Sequence, residues 1–147
     1  SGIADAITVV RQYIGDLADG QFEQAAKIFN GLILFYPGRR IDVVGHSLGG
    51  AIATYVVAVA SDTENRVYGT TFNGLGLSLD TAKQHMRPWR THRAKNLIVN
   101  VKCDTDPVYA GVLVKSVHYG PTYSLPYSGG ISHAMAQLIS LMEQQGR

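Results

Sequence analysis

The sequence predicts an open, mostly parallel α/β sheet with helices on both faces, and three observations carry that prediction. Apolar residues switch along the chain between helical spacing and short β-branched runs. The runs and helical stretches alternate as strand, helix, strand, helix, strand. A glycine-rich turn joins the first of these strands directly to a helix. The 147 residues are 46% hydrophobic and 16% charged, the balance of one globular domain spanning the whole chain. A chain of this length buries enough surface to fold without disulfides, and the lone Cys103 can form none within it. That single cysteine fits any redox compartment. A net charge of +2 is too small to make bulk attraction to nucleic acid or anionic membrane the default.

The elements follow in order. Ile3, Ile7, Val10, Ile14 and Leu17 recur at steps of four and three and predict an amphipathic first helix. Phe22, Ala25, Ala26, Phe29, Leu32 and Ile33 predict a second, stopped by Pro37-Gly38. Ile41-Asp42-Val43-Val44 reads as a buried strand. A helix from Leu48 to about Ala60 follows, with Gly49, Gly50, Ala51 and Ala53 allowing close approach to a sheet. Next come a strand at Arg66 to Phe72, a Gly-rich turn, a helix from Leu79 to Met86 and a strand from Asn96 to Cys103. Val112 to His118 is a fourth strand in this reading, Tyr119 to Gly130 a loop rich in Pro and Gly, and Ile131 to Met142 a closing helix. No apolar run approaches the roughly 18 residues of a membrane-spanning helix. The chain opens on Ser-Gly without a basic-then-apolar leader, which predicts a processed product or a part of a longer one.

Gly45-His46-Ser47-Leu48-Gly49 is a Gly-X-Ser-X-Gly pattern between a strand and a helix, the setting of a nucleophile elbow. A serine on so sharp a turn presses neighbouring backbone segments together, and residues without Cβ relieve the clash. The helix start favours a developing anion beside it, so the Leu48 N–H is a candidate oxyanion donor. The competing reading makes Ser47 an ordinary helix cap. An alcohol nucleophile needs a base and an acid that orients it, in chain order Ser, acid, His. Asp104 and Asp106 follow the strand ending at Cys103, where an open sheet gathers its ligands. Asp106 is preferred because Pro107 holds it extended. His118 and His133 are the histidines beyond them, and His133 projects opposite the apolar stripe of the closing helix. His85 and His92 precede the acid, and His46 sits inside the turn.

Ile41 to Ala53, Thr70-Thr71-Phe72-Asn73-Gly74 and Asp106-Pro107-Val108 together resemble the class 3 lipases of the α/β-hydrolase superfamily, a likeness extending over about Ile3 to Met142. The resemblance implies Ser47 as nucleophile, Asp106 as acid, His133 as base, and a lipid ester as substrate, with no metal or cofactor. It also implies a secreted or periplasm-targeted protein. Members carry strands ahead of the first helix, and the loop before that helix supplies a second oxyanion donor. This sequence opens inside that helix and lacks those leading strands, so an upstream segment or a protein partner is expected to complete the sheet and the site.

Three functional classes follow. The first is a serine acyl hydrolase, lipase or phospholipase, with Tyr119, Tyr123, Leu125 and Tyr127 as an aromatic loop walling an acyl groove. The second is an incomplete hydrolase module, or toxin-type domain, that needs a missing segment or partner for activity. The third rests on Lys83 to Lys95, which holds Lys83, Arg87, Arg90, Arg93 and Lys95 with Trp89, His85 and His92 and no acid. A solvated helix face is the ordinary account of that segment, peripheral contact with anionic headgroups the next, and nucleic acid the least favoured. No HExxH, paired CxxC, Walker or GxGxxG pattern supports zinc, nucleotide or dinucleotide chemistry.

Overall fold

A computed structural model describes residues 20–60, 66–106, 109, 115–126 and 142–145. The first predicted helix and all of the closing one but Met142 lie outside these residues; 142–145 are helical. Helix α1 (Gly20–Phe35) precedes strand β1 (Ile41–His46), and α2 (Leu48–Val59) follows β1 after a single residue. Then come β2 (Val67–Phe72), β3 (Leu77–Ser78), α3 (Leu79–His85), α4 (Pro88–Leu97), β4 (Ile98–Cys103), β5 (Ser116–Val117) and β6 (Thr122–Leu125). Four strands form one sheet in the order β1-β2-β4-β6, every neighbouring pair parallel. The predicted open α/β sheet is thus observed, with helices around it.

Packing follows from the pattern of small and branched residues. In α2, Ala51, Ala53, Val56, Val57 and Ala58 are buried, and they pack with Val43, Val67 and Ile98 of the strands in one core. The strands alternate: in β2, Val67, Gly69 and Thr71 are buried while Tyr68, Thr70 and Phe72 are half-covered. Gly69 lets the sheet meet α2 closely, since a Cβ there would lie 3.0 Å from the Val57 side chain. Helix α1 docks through Ile33, Phe22 and Phe29, with the Phe22 ring edge-on to Tyr55 of α2. Among the described residues no helix is long and apolar enough to cross a membrane.

Three expectations are corrected. Residues 96 and 97 belong to α4, not to the following strand: Pro88 starts this helix, the Asn96 amide donates back to the His92 carbonyl at 2.8 Å, and Leu97 packs inward. The basic segment is therefore largely helical. Of the stretch read as a fourth strand, the described residues form Ser116–Val117, paired antiparallel with Leu77–Ser78 apart from the main sheet; residues 110–114 are outside the described residues. The stretch read as loop contains β6, the fourth parallel strand. Gly120 causes that return, with φ +83 and its Cα so close to Ile98 that a Cβ would sit 2.0 Å from the Ile98 carbonyl oxygen. Buried Asn100 then completes the seam: its N–H donates to the Pro121 carbonyl at 2.9 Å and its amide to the Tyr119 carbonyl at 2.7 Å.

Candidate active site

Parallel strands end on one edge together, and the register aligns His46 with Phe72 and Phe72 with Val101. Ser47 follows β1 and Asp106 follows β4, two strand spacings apart, roughly 10 Å across the sheet. Both predicted residues therefore rise from the same end of the sheet, where open α/β sheets gather ligands.

The turn at Ser47 is built by the backbone. Ser47 has φ 55 and ψ −121, a region that costs a non-glycine residue about 1–3 kcal/mol. Three hydrogen bonds hold it there: Ser47 N–H donates to the Phe72 carbonyl at 3.3 Å, and its own carbonyl accepts from Gly50 N–H at 3.0 Å and Leu75 N–H at 2.7 Å. Ser47 occupies the N-cap position of α2, but its hydroxyl makes no capping bond to the helix. Of the pattern's two glycines, only Gly45 is sterically required. A Cβ at Gly45 would lie 2.1 Å from the Gly49 carbonyl oxygen, whereas one at Gly49 would meet nothing. The second required glycine is Gly50, where a Cβ would lie 2.7 Å from the Gly74 Cα. Leu48 is the first residue of α2, so its N–H lies beyond the reach of intrahelical acceptors.

Asn73, which motif reasoning passed over, ties the two sides of the site together. It is fully buried with φ 43, a conformation asparagine accepts better than most residues. Its N–H donates to Val101 O at 2.8 Å, its Oδ1 accepts from Cys103 N–H at 2.8 Å, and its Nδ2 lies 3.9 Å from the Cys103 sulfur. Two residues on, Leu75 holds the Ser47 carbonyl; Cys103 O in turn accepts the Asp106 N–H at 3.1 Å. In the sequence Asn73 stood only as part of the Thr70 to Gly74 segment of the resemblance, and its Asn-Gly pair reads as no more than a turn.

Asp106 is 1% exposed and its Oδ2 accepts the Tyr109 N–H at 2.9 Å, while Asp104 is exposed. The Tyr109 carbonyl accepts from His118 Nε2 at 2.9 Å, and the two rings stack at 3.7 Å between centroids. A carbonyl can only accept, so Nε2 carries the hydrogen and Nδ1 is the basic nitrogen. Burial pushes the His118 pKa below its ordinary value of 6.5; the bond to Tyr109 and the nearby Asp106 carboxylate oppose this, and Lys102 adds to it. His118 and Asp106 thus share Tyr109 as a partner. His133 lies outside the described residues, and His85 packs edge-on against Tyr55, on the flank of α2.

The described members of the aromatic set do not share one loop. Tyr119 is buried in the core beside Ile98, while Tyr123 on β6 is 60% exposed and Leu125 half-covered. Strand formation by residues 122–125 is the reason, because it places Tyr119 ahead of the strand and Tyr123 and Leu125 along it. Tyr127 lies outside the described residues. No three His, Cys, Asp or Glu side chains converge as a metal set among the described residues.

A family model described as a Tle-like phospholipase domain, phospholipase-like, matches residues 2–118. The match covers Ser47, Asp106 and His118 and stops short of His133. No curated protein matches the chain.

Proposed function

The chain belongs to the Tle-like phospholipase domain family, a phospholipase-like group, and from that premise we propose that it is a serine acyl hydrolase of phospholipid esters. Ser47 Oγ attacks the ester carbonyl while a histidine takes its proton, and the Leu48 N–H receives the developing oxyanion. The same histidine returns the proton to the leaving alcohol, which departs as the deacylated lipid. Water, deprotonated in its turn, then attacks the acyl-enzyme, releases the fatty acid and restores Ser47. Asp106 orients the histidine and stabilises its charged form. The finer likeness to class 3 lipases within the α/β-hydrolase superfamily belongs to this same reading.

The observation that carries the proposal is the backbone of Ser47. A non-glycine residue is held in a costly conformation by three hydrogen bonds, with its hydroxyl left out of helix capping. Strain of that kind, at the end of a parallel sheet and beside a helix start, is what a presented nucleophile needs. His133 is the base in this proposal. His118 is the second reading, favoured by its place beside Asp106 and by a basic Nδ1 held neutral near pH 7.

A fluorophosphonate probe tests the proposal, with the labelled residue identified by mass spectrometry. Labelling at Ser47, lost in Ser47→Ala, is the expected result. Loss of labelling in His133→Ala with retention in His118→Ala assigns the base to His133, and the reverse pattern assigns it to His118. A folded chain that remains unlabelled overturns the assembled hydrolase and favours a module completed by a further segment or partner.

A further inference from the structure

A second surface, on the flank of the sheet rather than at its strand ends, has a composition the chemistry at Ser47 leaves unused. Between Asp80 and Asp104 the chain carries no carboxylate, while Lys83, Arg87, Arg90, Arg93, Lys95 and Lys102 all fall in that interval. The fold gathers the first five onto α3, α4 and their junction. Lys83, Arg87 and Lys95 are exposed, and with Arg90 they have no carboxylate partner among the described residues. Two guanidinium groups are anchored by neutral acceptors: Arg90 donates to the His85 carbonyl at 3.0 Å and Arg93 to the Val57 carbonyl at 2.9 Å. A carbonyl positions a guanidinium without cancelling its charge.

Amid these cations stands Trp89, the only tryptophan, 57% exposed with the Arg90 guanidinium 5.0 Å from its ring centre. Trp89, His92, Arg93 and Asn96 fall at helical spacing on one face of α4 and, with Leu97, line an open cavity of about 350 Å³. A solvated helix has no need to expose its largest aromatic ring. An amphipathic ring among fixed cations matches the boundary between phospholipid headgroups and acyl chains.

We propose that the α3–α4 flank docks the protein on anionic phospholipid surfaces, with Trp89 at the headgroup level and Lys83, Arg87, Arg90 and Lys95 facing lipid phosphates. Charge complementarity names the occupant, and the exposed indole separates a lipid boundary from a merely solvated basic helix. The inference stands apart from the reading of Ser47, because docking needs no hydrolysis.

The single tryptophan makes the test direct. Vesicles of phosphatidylcholine alone, and with added phosphatidylglycerol, are mixed with the 147-residue chain bearing Ser47→Ala, so that no lipid is consumed. A blue-shifted emission and co-sedimentation are expected with the anionic vesicles only, reversed by about 1 M salt, where the screening length falls to roughly 3 Å. The triple variant K83Q/R87Q/K95Q alters only exposed side chains and should keep the parent's circular dichroism. It should bind anionic vesicles on the order of 100-fold more weakly, about fivefold for each cation removed. Equal binding to both vesicle types overturns the proposal, as does undiminished binding by the folded triple variant. A shift with glycerol phosphate or a thymidine oligonucleotide, without vesicle binding, overturns it in favour of a free-phosphate or nucleic-acid site.

Discussion

Ser47 and Asp106 leave the same end of one sheet, yet the turn at Ser47 is fastened by backbone, whereas the segment at Asp106 is fastened largely through side chains. Around Ser47, three main-chain hydrogen bonds and two glycines with no room for a Cβ define the geometry. Around Asp106, a carboxylate bonds the Tyr109 N–H two residues past a proline, and the His118 imidazole stacks on the Tyr109 ring and bonds its carbonyl. The difference teaches that one half of the site is announced by a short sequence motif, although Phe72, Gly74 and Leu75 on the neighbouring strand and turn hold it. The other exists only once His118 has been brought back to Tyr109 beside Asp106.

The largest effect should come from the acid. Asp106→Asn keeps the shape but not the charge, and kcat against a phospholipid ester is expected to fall roughly 10⁴-fold. A variant with near-normal turnover would move the acid's role to Asp104. The backbone half is tested next by a pair of alanines. Gly45→Ala drives a methyl into the Gly49 carbonyl and should cost about 100-fold or more in labelling rate, while Gly49→Ala, facing open space, should label like the parent. Equal damage from both would mean the turn is not held by sterics.

Asn73 joins the halves, so its loss should register in both. Asn73→Ala leaves the buried Cys103 N–H without its acceptor and should cost about 1–3 kcal/mol in denaturant unfolding, together with slower labelling of Ser47. Asn73→Asp keeps an oxygen acceptor, and recovery of the labelling rate in that variant would mark the contact, not the fold alone, as the cause.

The smallest effect is one of pH. Because burial holds the His118 pKa below 6.5, the unfolded chain takes up this proton first as pH falls. Stability from this group is thus complete above 6.5, declines as the pH drops below that value, and levels once the folded imidazole is itself protonated. Thermal melts should show a lower Tm at about pH 5.5 than at about pH 7.5, and His118→Gln should flatten that difference. An unchanged slope in His118→Gln would show that the stacked imidazole is not what couples the acid segment to pH.

Much of the fold was legible in short windows. The run Ile41 to Val44, the glycine turn and the small-residue helix after it were readable because each depends on neighbours within a few residues. Strand β6 was not, because its Pro and Gly neighbours signal a loop, and only the Asn100 main chain and side-chain amide, bonded to Pro121 and Tyr119, and the pairing with β4 turn it into a ladder. Distance along the chain also hid the role of Asn73, whose partners on β4 lie some thirty residues away, while the bond of His118 to Tyr109 spans nine residues that no regular spacing brings together. The basic run was visible as charge. That it forms a helical flank with Trp89 outward was not, since the buried sides of Ala94 and Leu97 are set by α2 and the sheet.

By itself, then, the sequence determined the α/β class, the parallel order of the first three main strands and the position of the turn at Ser47, because local spacing and the absence of Cβ atoms suffice for those; the bonds with Phe72 and Leu75 that strain Ser47 came only with the sheet. Tertiary structure decided which later segments become strand, which tyrosines are buried, and which polar groups meet Asp106. Those outcomes depend on hydrogen-bond partners and packing surfaces that the chain supplies only after distant segments have closed on one another.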